Sequence, residues 1–119
     1  MNEIQKISCI VVGSAGVGES GASSILQHRI DPGPRRNMIA RTADSSLCGN
    51  TGVVALLTVN GEPVAHGNLT QVGTSIQAEV RGGDNVALVA HTVPLFNGIV
   101  CIRLGEIEIS LEEYEFAGE

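Results

Sequence analysis

With 119 residues, the chain is long enough to bury one core without metal or disulfide staples, and it reads as a single β domain spanning 1–119. Its hydrophobic fraction of 43% excludes wholesale disorder, and no apolar run approaches the roughly 18 residues of a membrane helix. A net charge of −6 and an aromatic content of 3% argue against nucleic-acid binding, which rests on basic patches and base-stacking rings.

The same shortage of rings predicts an aliphatic core of Val, Ile, Leu and Ala. In chain order, residues 4–12 read as a strand, followed by the Gly/Ser-rich stretch 13–21. Residues 22–30 fit a strand or a short helical turn near 20–28. Asp31-Pro32-Gly33-Pro34 is a turn. Residues 37–42 fit a strand, and 42–52 form a polar loop.

The second half is clearer. Residues 53–59 are apolar at both parities, as in a strand buried on both faces. Asn60-Gly61 is a strong hairpin signal, because both residues tolerate the positive φ of a type I′ turn. Pro63 to His66 is the return strand, placed at an edge because Pro63 cannot donate a ladder hydrogen bond. Residues 74–80 alternate, with Ile76, Ala78 and Val80 inward. Gly82-Gly83-Asp84 turns into the apolar strand 86–91. Pro94 and Asn97-Gly98 bracket another turn, and residues 99–104 resume the sheet.

In the last strand Ile107, Ile109 and Leu111 face inward. Apolar parity then switches to Tyr114 and Phe116. A period of two cannot change parity without an extra residue, so a bulge is expected at Glu112 or Glu113. The outward carboxylates of this strand would discourage edge-to-edge association. Short strands separated by turn signals define an all-β fold: an antiparallel β-sandwich or jelly-roll-like barrel of seven or eight strands.

Gly13-Ser14-Ala15-Gly16-Val17-Gly18-Glu19-Ser20 resembles the phosphate loop that opens small GTPases. Such a resemblance implies a nucleotide site, but Glu19 stands at the lysine position. A carboxylate there repels the phosphates that a lysine attracts. The antiparallel pattern downstream also lacks the crossover scaffold of that fold. Gly18-Glu19-Ser20-Gly21-Ala22 approaches a nucleophile elbow. No histidine spacing places a base beside Ser20, so no catalytic residue is assigned.

The three cysteines, Cys9, Cys48 and Cys101, have no metal-ligand spacing. A Cys48–Cys101 bridge fits only an exported protein. His66 and His91 fall on strands and could meet across a sheet, and His28 stands alone. No metal or cofactor is expected. Without an export signal the expected location is cytoplasmic, with non-classical secretion left open. Asn68-Leu69-Thr70 is a glycosylation acceptor pattern that matters only outside the cell.

The main functional expectation is a non-enzymatic binding or assembly module, homo-oligomeric and contacting protein through loops 13–21, 31–36 and 43–52. Its proposed contact pairs the basic segment 29–41 of one copy with the acidic segment 106–119 of another. The alternative is a small-ligand or carbohydrate-binding, lectin-like sandwich. A nucleotide hydrolase using the glycine-rich loop is remoter. Candidate ligand- or partner-binding residues are Arg35, Arg36, Arg41, Asp44, Asn50 and Glu112.

Overall fold

The computed structural model describes residues 2–13, 23–46, 51–94 and 105–116. They form eight strands: β1 (Asn2–Gly13), β2 (Ser23–Arg29), β3 (Arg36–Ser45), β4 (Thr51–Val59), β5 (Glu62–Asn68), β6 (Ser75–Val80), β7 (Asn85–Pro94) and β8 (Gly105–Glu115). Two four-stranded sheets result. Sheet A has the order β1-β8-β3-β6 and sheet B the order β2-β7-β4-β5.

Every pairing is antiparallel. The first strand pairs the eighth, the second the seventh, the third the sixth and the fourth the fifth. That nesting of a long folded-over hairpin is the winding of a jelly roll. The polyproline-like turn at 31–34 and the Gly82-Gly83 turn lie against each other. A Cβ on Gly82 would sit 2.7 Å from the Gly33 amide nitrogen.

The β4–β5 hairpin follows the rule for tight turns. Asn60 has φ 53° and Gly61 has φ 85°, the paired positive values of a type I′ turn. Pro63 lies on β5, which is an edge strand of sheet B. Between the sheets the core is aliphatic: Met38, Leu57, Leu69, Leu88, Ile107, Ile109 and Leu111 are all buried, with Val and Ala filling around them.

Four expectations need correction. Residues 23–28 are strand rather than helical turn, since β2 alternates half-buried Leu26 and His28 with exposed Ile25, Gln27 and Arg29. The loop expected from residue 42 is shorter, because β3 continues through Ser45 and β4 begins at Thr51. β8 is an interior strand between β1 and β3, so its carboxylates guard no edge.

The fourth concerns parity. β8 pairs β3 without interruption from Leu111 to Glu115, and the irregularity nearby lies on β1, between Glu3 and Gln5. Parity is therefore kept. Tyr114 and Phe116 point outward, and Glu113 enters the core at 2% exposure. Residues 14–22, 47–50 and 95–104 lie outside the described residues. With them go the phosphate-loop resemblance beyond Gly13, Ser20, Asn50, the Asn97-Gly98 turn and the Cys48–Cys101 pair.

Glu113 is tolerated because it is compensated. Arg36 Nη1 donates to Glu113 Oε2 at 3.3 Å, and His28 Nε2 hydrogen-bonds Glu113 Oε1. Arg36 Nη2 also donates to the Pro32 carbonyl at 3.4 Å. A Cβ on Gly33 would meet that nitrogen at 2.6 Å, so glycine makes room for the guanidinium. Removing one member of such a group strands a charge without solvent. Arg36→Ala should lower the unfolding free energy by about 3–5 kcal/mol in urea titration. The paired replacement Arg36→Met with Glu113→Leu should recover most of that loss.

Candidate functional site

The outer faces of the two sheets differ in chemistry. On sheet A the outward side of β8 carries Glu106, Glu108, Ser110, Glu112 and Tyr114. Neighbouring β3 contributes Ile39 and Arg41. Glu112 is nearly buried there. It accepts from Tyr114 Oη at 2.9 Å and from Ser110 Oγ at 3.3 Å, and Arg41 Nε lies 3.5 Å away.

Three of the four arginines of the basic segment are thus used within the chain. Arg41 pairs Glu112, Arg36 pairs Glu113, and Arg35 pairs Glu79 at 3.0 Å while lying 5.6 Å over the Phe116 ring. The contact expected between copies loses its charges to these pairs. Of the candidate residues, Arg41 and Glu112 meet on the sheet A face, Arg35 is exposed just before β3 with Glu79 and Phe116, and Arg36 is core. Asp44 is exposed near the end of β3, where its Oδ1 accepts from the Ser45 amide at 2.9 Å.

On sheet B the outward residues form rows across the strands. One row runs Ile25, Val89, Leu56, His66, and the next runs Gln27, Ala87, Thr58. Beyond the first row lie His91, Val54 and Asn68. Val54, Leu56 and Val89 form an aliphatic floor flanked by His66, His91 and Asn68, enclosing about 430 Å3. Ile25 at 63% and Val54 at 41% exposure confirm that this strip faces solvent.

The strip corrects the reading of β4 as buried on both faces. Val53, Ala55 and Leu57 are buried, but Val54 and Leu56 on the opposite parity have no covering layer among the described residues. Next to it, toward the β4–β5 turn, lies a hollow of about 490 Å3 with a mixed lining, in which Gln27, Arg29, Thr58 and Asn85 stand beside His28, Val86 and Ala87. Strip and hollow share one face and adjoin at the Gln27–Ala87–Thr58 row.

His66 and His91 do come to one groove, but on strands separated by β4. Among the described residues no group of three or more His, Cys, Asp or Glu side chains is placed to hold a metal. The Asn68-Leu69-Thr70 pattern is folded into a local turn: Asn68 Oδ1 accepts from the Thr70 amide at 2.9 Å and its hydroxyl at 2.6 Å.

The groove was missed in sequence because loops were expected to carry recognition. The available signal was the double-parity apolarity of residues 53–59, which demands either a second covering layer or an exposed binding strip. Gln27, Arg29 and Asn85 carried no motif. Only the register brings them together.

No protein-family model matches this chain, and no curated protein matches it. Among solved structures, it is similar to a family 35 carbohydrate binding module from Clostridium thermocellum. The likeness covers 93% of this chain and 92% of that one, at 15% identity and a TM-score of 0.46.

The sheet A network gives a direct spectroscopic test. The hydrogen bond to Glu112 raises the Tyr114 pKa above its ordinary 10.0, helped by desolvation and by the charges of Glu112 and Glu3, with Arg41 opposing. Tyr114 is the only tyrosine and there is no tryptophan, so ultraviolet titration reads it alone. The midpoint should lie above 10 and fall in Glu112→Gln. Because the folded state holds this proton more tightly, its stabilising contribution is full below the unfolded pKa. It is lost as pH rises through about 10 toward the folded value.

Proposed function

We propose that this protein is a non-enzymatic binding module that takes a small amphipathic ligand on the outer face of sheet B. The observation that carries the reading is the aliphatic strip of Ile25, Val54, Leu56 and Val89, uncovered among the described residues, running into a hollow that offers amide, hydroxyl and guanidinium groups. An apolar body on the strip removes hydrophobic surface from water at about 25 cal/mol per Å2. A polar end in the hollow keeps its hydrogen bonds. Ligand sites of this kind combine an apolar lining with a few placed polar groups.

The assembly reading draws little support from the charged segments, since Arg35, Arg36 and Arg41 are paired within the chain. A lectin-like reading rests on the hollow, where Gln27, Asn85 and Thr58 offer both donors and acceptors to sugar hydroxyls. It lacks an aromatic ring against which a sugar would stack.

Thermal-shift measurements with alkyl glucosides, free sugars and short peptides separate these readings, because a ligand that binds only the folded state raises the melting temperature. An alkyl glucoside should raise it and free glucose should not. Ile25→Asp and Leu56→Asp should abolish the shift while leaving the β-sheet circular-dichroism spectrum intact. A shift that survives both substitutions would place the ligand elsewhere.

A further inference from the structure

Arg29 stands apart from the other arginines of its segment. Arg35, Arg36 and Arg41 each have a glutamate partner. Arg29 is exposed, lines the hollow, and has no acidic partner among the described residues. Arg81 likewise has no acidic side-chain partner among the described residues, so what sets Arg29 apart is its place in the hollow.

The distribution of acids around it sharpens the point. Strands β2, β4 and β7 contain no Asp or Glu, and β5 contains only Glu62. Sheet A holds Glu3, Asp44, Glu79, Glu106, Glu108, Glu112, Glu113 and Glu115 on its strands. The acids near the Arg29 end of sheet B are Glu62 and, in the flanking turns, Asp31 and Asp84, whose carboxylate accepts from the Asn60 side chain and the Arg81 amide.

The groups beside Arg29 complete the argument. Asn85 is its direct cross-strand partner, and Gln27 lies two residues back on the same side of β2. Both side chains are exposed and both can donate N–H groups. Gly61 adds no side chain, and the space where its Cβ would stand is open. Arginine takes a carboxylate through two parallel hydrogen bonds, and flanking amides extend that set. From Arg29 to Ile25 is four strand residues, about 13 Å. A ligand anchored at Arg29 thus reaches the aliphatic strip.

We propose that Arg29, with Gln27 and Asn85, forms a carboxylate subsite, and that the ligand of this face is a small aliphatic carboxylate. The head group meets Arg29 and the hydrocarbon lies over Ala87, Val89, Ile25 and Leu56. This rests on sheet B being the binding face, and it names which ligand that face selects.

The test is calorimetric titration of the full chain with sodium octanoate and, separately, octyl β-glucoside, both below micelle formation. Octanoate should bind, and its affinity should fall roughly tenfold or more in Arg29→Gln, with partial recovery in Arg29→Lys. Arg81→Gln, an exposed turn arginine outside the hollow, should change nothing. Octyl glucoside, which offers no carboxylate, should lose less affinity in Arg29→Gln than octanoate does. If octanoate binds equally well to Arg29→Gln, or if only the glucoside binds, the carboxylate subsite is wrong and the binding face stands. If neither amphiphile binds the native protein, both the subsite and the binding face fall.

Discussion

The contact that organises this molecule is the buried carboxylate of Glu113 held between Arg36 and His28. Glu113 and Arg36 belong to sheet A and His28 to sheet B, so the contact bridges the sandwich through a mainly aliphatic interior. Apolar contacts between Val, Leu and Ile side chains tolerate sliding, because they are not directional. An ion pair inside a core does not, because a shift of one residue strands its charges. Stability comes mainly from the aliphatic layers. The triad ties the end of β8 to one alignment, and through it the relative placement of β2 and β3.

The two sides of the sandwich then divide their tasks. Sheet A gathers the carboxylates and satisfies several of them with arginines and a tyrosine. Among the described residues, sheet B leaves an aliphatic strip without a cover and Arg29 without a carboxylate partner. The division follows from composition: the acids are concentrated in β8, and β8 lies in sheet A. The proposed ligand face is thus a consequence of which strands the jelly-roll winding puts together, since β2, β4 and β7 are far apart in the chain.

Much of the architecture was legible in the residues. Alternation marked β6 and the first part of β8, Asn60-Gly61 marked the hairpin, and the scarcity of rings foretold the aliphatic core. The failures have one physical root. Hydrophobic pattern ranks residues by polarity, and it cannot see partners distant in sequence. At Glu112-Glu113 it favoured a bulge that would turn Tyr114 and Phe116 inward. The chain instead keeps its parity and buries a glutamate, because Arg36, 77 positions away, pairs its charge and His28, 85 positions away, hydrogen-bonds it. The same blindness hid the groove. Apolar residues at both parities of β4 look like a strand covered twice, and nothing local says that the second cover is absent among the described residues. Arg29 looked like one of four basic residues in a cluster until the ion pairs removed the other three.

The strands of sheet A carry eight Asp or Glu side chains and those of sheet B one, Glu62. Added salt therefore relaxes repulsion between carboxylates mainly on the sheet A side of the sandwich.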